Sequence, residues 1–161
     1  MGVLRIDPLG VYNFYLTLLD SQATVGTLIT AAINYFVAGF SECSGIEATF
    51  EVMQVKEGGL NTHVWQLPVR ASHSNITLKH GAIYAYDDLW DWHYSWVSGQ
   101  GTRKDGLIVL KDSSGRPAKI WKFKRGIPTK WVGASLNALQ SNVAIESLEI
   151  AHEGLEMELG A

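Results

Sequence analysis

Apolar and polar residues alternate most clearly between Ile46 and Val52. Ile46, Ala48, Phe50 and Val52 share one face, while Glu47, Thr49 and Glu51 share the other. A period of two marks a strand in a sheet with one wet side. Tyr12–Leu19 (YNFYLTLL) is rich in aromatic and β-favouring residues and reads as another strand. The Thr-, Gly- and Ala-rich DSQATVGTLITAAINYFVAGF that follows suits an excursion or a second hairpin strand ending near Val37. Val64–Val69 looks extended, but Pro68 has no N–H to donate, so an edge position or an interruption is expected there. NITLKHG (75–81) is a further short strand. Leu107–Leu110 and Ala118–Phe123 are apolar runs joined by KDSSGRP, whose Ser-Ser-Gly predicts a hairpin turn.

Asp87–Trp96 (DDLWDWHYSW) carries helix signals. Asp87 or Asp88 can cap the first turn, acids there suit the helix dipole, and Gly99 supplies a stop. Leu89, Trp92 or His93, and Trp96 then fall on one face. Trp90, Trp92, Tyr94 and Trp96 also alternate strictly, so pattern alone admits a strand; the start and stop signals favour the helix. GQGTRKDG (99–106) reads as a loop. For NVAIESLEIAHEGLEMEL at the end of the chain, Ala, Glu and Leu content leans to helix, and only Leu148 and Ile150 obey strand alternation cleanly. The count is six to eight strands with one or two helices, a mainly β class with a small helical part.

One stretch resists a single assignment. QVKEGGLN (54–61) lies between two extended runs. Its paired glycines fit a two-residue hairpin turn, an anion-binding loop, or an extended arm laid on a neighbouring molecule.

A chain of 161 residues with 47% apolar and 18% charged residues points to one globular domain over 1–161 with a real core. Its net charge of -3, without long runs of one sign, argues against a dedicated nucleic-acid binder but allows a protein that guides DNA without gripping it. Cys43 is the only cysteine, which removes an intrachain disulfide and any thiolate-rich metal site, and fits a reducing compartment. MGVLRIDP lacks the design of a signal peptide, and Leu28–Phe40 is too short to span a bilayer. These readings point to a soluble protein made in a cytosol.

Catalytic signatures fail one by one. No Gly-x-x-x-x-Gly-Lys run is present, and Gly99-Gln100-Gly101 meets Lys104 where a dinucleotide fingerprint needs its third glycine. His63, His73, His80, His93 and His152 show no metal-ligand spacing. Asp87, Asp88 and Asp91 are better explained as helix-capping acids than as a cation site, and Cys43 has no obvious partner base. Six tryptophans fit core and interface anchors better than a sugar- or base-stacking surface. No catalytic, cofactor-binding or metal residues are assigned, and no cofactor is expected.

The order of motifs resembles the tail-tube protein family of contractile phage tails and phage-derived contractile injection systems. The residues that carry the resemblance are VAGFSECSGIEATFEV (37–52), KEGGLN (56–61), LPVR (67–70), NITLKHG, the Trp-rich helix, DSSGRPAKIWKF (112–123), IPTKW (127–131) and VAIESLEIAHEGLEM (143–157). It runs from about Tyr12 to Met157. The resemblance implies a tail-tube/Hcp-like fold, a β-sandwich or barrel with one packed helix, and no enzymatic activity. It implies homo-hexameric rings stacked into a hollow tube, with a sheath protein, a baseplate or tube initiator, tape measure and terminator proteins as partners. DNA or effectors would pass through the lumen, no membrane would be involved, and the location would be a virion tail or injection particle assembled in a host bacterial cytoplasm. A tube-initiating or baseplate paralogue that forms a single ring is the alternative, and a small β-barrel ligand-binding module is another. By the same resemblance QVKEGGLN matches an arm reaching an adjacent subunit, which puts Lys56, Glu57, Gly58, Gly59 and Asn61 at an intersubunit contact. Trp131 and Glu146 are further interface choices. The final segment becomes a long strand against its helical composition, and 26–39 is longer than the family's first hairpin.

Overall fold

In a computed structural model of the chain, residues 10, 14–20, 40–82 and 88–159 are described. The excursion at 26–39, the strand end near Val37 and the Asp87 cap lie outside them. The described elements are β1 (Phe14–Asp20), β2 (Phe40–Ser44), β3 (Ala48–Val55), β4 (Trp65–His73), β5 (Ile76–Gly81), α1 (Asp88–Val97), β6 (Lys104–Lys111), β7 (Pro117–Val132), β8 (Ile145–Ala151) and β9 (Gly154–Leu159).

Strand β7 organises the fold. Its first half pairs with β6 on one side and β9 on the other, and its second half pairs with β8. Two antiparallel sheets result, β1-β6-β7-β9 and β7-β8-β5-β2, sharing one long strand that turns the corner between them. The corner falls where side chains are smallest. A Cβ on Gly126 would lie 2.8 Å from the Phe123 ring and 2.9 Å from the Lys104 carbonyl. Arg125 beside it takes a φ of 54°, rare for a residue with a side chain.

Both sheets bury one face against a common core of Leu16, Ile76, Leu78, Ile108, Phe123, Leu148 and Ile150, and α1 adds Leu89 and Trp92. Trp96 packs against the same core, so the helical face read from the sequence is the one buried. The helix ends as its stop signal demands, with Gly99 at a φ of 79° and its N–H on the Trp96 carbonyl. The indole N–H groups of Trp92 and Trp96 both donate to the Thr102 carbonyl, at 2.9 and 3.2 Å. That double bond set fixes the helix to the entry of β6. The β6–β7 hairpin also forms as expected, its turn held by Asp112 Oδ1, which accepts from the Ser114 and Arg116 N–H groups.

Three expectations change. Residues 104–106 belong to strand β6, extending it beyond the apolar run, because Asp20 and Leu18 of β1 pair with Lys104 and Gly106. The final segment, helical by composition but one long strand by the resemblance, forms two strands, β8 and β9, broken at His152 and Glu153. β8 lies between β5 and β7 with Leu148 and Ile150 fully buried, so two-sided pairing outweighs the helical composition. Finally, Ile46–Val52 does not lie in a sheet with one wet side. Among the described residues β3 pairs only with β4, in a separate two-stranded sheet, and all of β3 and all of β4 short of His73 are exposed.

Candidate assembly surfaces

The β3–β4 hairpin is an arm standing off the body. Its register pairs Ala48 with His73 and Val55 with Trp65, with a bulge where Glu51↔Arg70 gives way to Val52↔Pro68. The extra residue is Val69, next to the proline that cannot serve a regular ladder. Paired residues point to the same face, and this divides the arm unusually. One face carries Ala48, Phe50, Val52, Ala71 and Pro68 near the root and Gln54 and Gln66 near the tip. The other carries Thr49, Glu51, Arg70 and Ser72 near the root and Met53, Val55, Trp65 and Leu67 near the tip. Phe50 is 68% exposed, and Val52, Met53, Trp65, Leu67 and Val69 are exposed as well.

The loop at the arm's end brings together five of the expected interface residues, Lys56, Glu57, Gly58, Gly59 and Asn61, all exposed. The Leu60 N–H donates to the Glu57 carbonyl at 3.2 Å, and Gly59 takes a φ of 91°. The paired glycines therefore do make a tight reversal, one placed at the end of a long arm. Glu57 is tied within its own chain, its carboxylate accepting the Trp65 indole N–H at 3.1 Å. His63 stands edge-on to the same indole, ring centres 4.9 Å apart.

Trp131 and Glu146 lie elsewhere, on β7 and β8. Trp131 meets Trp90 edge-on at 4.6 Å and is half-buried, and its buried indole nitrogen has no acceptor among the described residues. Glu146 is mostly buried, with an oxygen 3.9 Å from His80 Nε2. Next to them runs the connection from Gly133 to Ala144, which has no charged residue over twelve positions. Leu136 and Leu139 stand 88% and 95% exposed there, and Val143 and Ile145 are exposed beside them. Sequence reading passed over this connection and over Met53, Val55 and Leu67. Their available signal was a lack of charge in surface segments of a chain with 18% charged residues.

Chemistry-bearing groups do not converge. Among the described residues, no group of three or more His, Cys, Asp or Glu side chains is placed to hold a metal ion. Asp88 and Asp91 line an open hollow of about 400 Å³ with Lys104, whose ammonium sits 5.6 Å over the Trp92 ring. Both acids lie in the first turn of α1, in keeping with a capping role. Burial, aided by the Glu42 charge, pushes the Cys43 thiol up to about 11. No described helix is long and apolar enough to cross a membrane. Several other charged groups form ion pairs between segments. Glu153 bridges Arg103 and Arg125 at 2.6 and 2.7 Å, and Lys124 pairs with Glu156.

Comparison with known proteins gives this arrangement a context. The model of the T4-like virus tail tube protein gp19 family matches residues 11–156. Nothing among curated proteins matches the chain. Solved structures of the anti-feeding prophage match, one of its baseplate (six-fold symmetrised) and one of its tube terminating cap. Their TM-scores are 0.81 and 0.82 and their identities 22% and 20%, covering 96% and 99% of this chain and 97% and 96% of theirs. The sheath-tube complex of the extracellular contractile injection system PVC matches at a TM-score of 0.77 and 22% identity, over 94% of this chain and 92% of that one. Hcp1 from Salmonella typhimurium matches at 0.53 and 10% identity, over 91% and 87%. At such identities the structural likeness speaks for the fold, which is Hcp-like and mainly β. The family match covers nearly the whole chain, and the chain belongs to the T4-like virus tail tube protein gp19 family.

Proposed function

We propose that this chain is the tube subunit itself, closing into six-membered rings that stack into a hollow tube whose lumen passes DNA or effectors. The observation that carries the reading is the arm. A two-stranded hairpin wet on both faces is marginal alone, and seven large apolar side chains on it call for a cover. Neighbouring copies supply that cover in a ring stack. Among the described residues β1 pairs only with β6, β2 only with β5 and β9 only with β7. Each of these edges is open among the described residues, and ring closure between copies removes such edges. Heterologous contacts of this kind propagate from one copy to the next.

In this reading residues 1–161 act as one tube domain. Lys56, Glu57, Gly58, Gly59 and Asn61 touch an adjacent copy, with Trp131 and Glu146 near a second contact. A sheath surrounds the tube, a baseplate initiator and a terminator bound its ends, and a tape measure sets its length. The assembled particle is a virion tail or an injection device built in a bacterial cytoplasm. The mild acidity of the chain suits a lumen that lets DNA slide without binding it. A second reading, a baseplate paralogue making one ring, draws on the likeness to the anti-feeding prophage baseplate.

Sedimentation velocity over rising concentration separates the two. The tube reading expects open-ended growth beyond a single ring, and the paralogue reading expects growth to stop there. A chain that stays monomeric throughout contradicts both.

A further inference from the structure

The apolar stripe of the arm changes face halfway along. Near the root it runs through Phe50, Val52 and Ala71, opposite Thr49, Glu51, Arg70 and Ser72. Beyond the Val69 bulge it runs through Met53, Val55, Trp65 and Leu67, opposite Gln54 and Gln66. A hairpin that lay flat on one partner would keep its apolar residues on one face along its whole length. Here a single flat partner would cover half the stripe, leave the other half in water and press Glu51 and Arg70, or the two glutamines, against its surface. Burying a charge in an apolar contact is costly, so that arrangement is disfavoured.

We infer that the arm is gripped between two other copies of this chain, one packing on the root half through the Phe50 face and another on the tip half through the Leu67 face. The inference rests on the self-assembly proposed above. Its occupant is argued from charge matching within the chain. From Val52 to Val69 the only charged residues are Lys56 and Glu57 at the tip. The uncharged connection at 133–144, with exposed Leu136, Leu139 and Val143, offers a surface of the same character on every copy. The tip half is assigned to that connection on the second copy. The bulge is what permits the arrangement. With Val69 kept in regular pairing, Leu67 and Trp65 would rotate onto the Phe50 face and leave Met53 and Val55 without apolar partners on the tip face.

Four double variants test this in full-length protein: Phe50→Asp with Val52→Asp, Met53→Asp with Leu67→Asp, Thr49→Asp with Ser72→Asp, and Gln54→Asp with Gln66→Asp. All eight positions are exposed on the arm, and thermal melting checks that each variant stays folded. The first two are expected to cut the assembled fraction about tenfold or more. The last two, on the polar halves, are expected to leave it near the parent value. Photoreactive benzoylphenylalanine at position 50 and at position 67 is expected to label different peptides of neighbouring copies, the second within 133–145. If the parent protein assembles but only one apolar pair matters, or both probes label one peptide, the two-sided grip is overturned while tube assembly stands. A parent that never assembles overturns the assembly reading and this inference with it.

Discussion

At the scale of single residues, the glycines sort by what a methyl group would meet. A Cβ on Gly106 would lie 2.1 Å from the Phe123 ring, which is itself fully buried. Gly106→Ala should therefore lower stability by about 1–3 kcal/mol in denaturant unfolding. Gly58 opens into free space, and Gly58→Ala should stay within about 0.5 kcal/mol of the parent in the same assay. His152 gives a pH dependence. Its two ring nitrogens lie 3.1 Å from the Gly154 and Ser74 carbonyls, and a neutral imidazole can donate to only one of them. Burial holds its pKa below the ordinary 6.5, partly offset by those carbonyls, so the folded chain binds this proton less tightly than the unfolded one. Stability from this source is intact above the ordinary value and falls as the pH drops through the folded one. His152→Gln should flatten that part of the acid side of a plot of denaturation midpoint against pH; an unchanged slope would exclude His152 as its source. Cys43, with its thiol raised to about 11, should react with thiol reagents at neutral pH far more slowly in folded than in unfolded protein.

Among the elements, the arm carries the sharpest expectation. Gly58→Val or Gly59→Val should leave a folded monomer, since a Cβ at either position meets no atom within 4 Å, yet block stacking. Gly59→Val should also cost about 1–3 kcal/mol in the loop, because its φ of 91° suits only glycine. Tube formation by both variants would remove the tip from the contact. How far such elements can be read from sequence depends on where their determinants lie. The helix was legible because its acids and Gly99 are local, and the β6–β7 hairpin because Asp112 and Gly115 shape their own turn. β8 was not legible from composition, since what makes it a strand is its place between β5 and β7. The arm was half legible. Alternation from Ile46 to Val52 is real and the switch to Met53 and Val55 is in the sequence, but the matching switch on β4 depends on a bulge at Val69, which has no local mark beyond Pro68. Of the site, the tip loop was found through its glycines. The exposed apolar flanks and the 133–144 connection went unread because a lack of charge has no period to detect.

As a whole molecule, this is a structural protein of the contractile tail-tube family and not an enzyme. Its core is shared by two sheets joined through one long strand, and its apolar arm is exposed. A densely packed body beside an exposed apolar arm separates the part that holds the fold from the part free for contact. The same division predicts that side-chain variants on the arm strands alter assembly and leave thermal stability of the monomer near the parent value, whereas core variants such as Phe123→Ala lose about 3–5 kcal/mol. Self-assembly is tested most directly by electron microscopy of the purified chain at high concentration. Hollow tubes of stacked rings whose end views have six-fold symmetry are expected. Particles that remain monomeric at every concentration would contradict self-assembly.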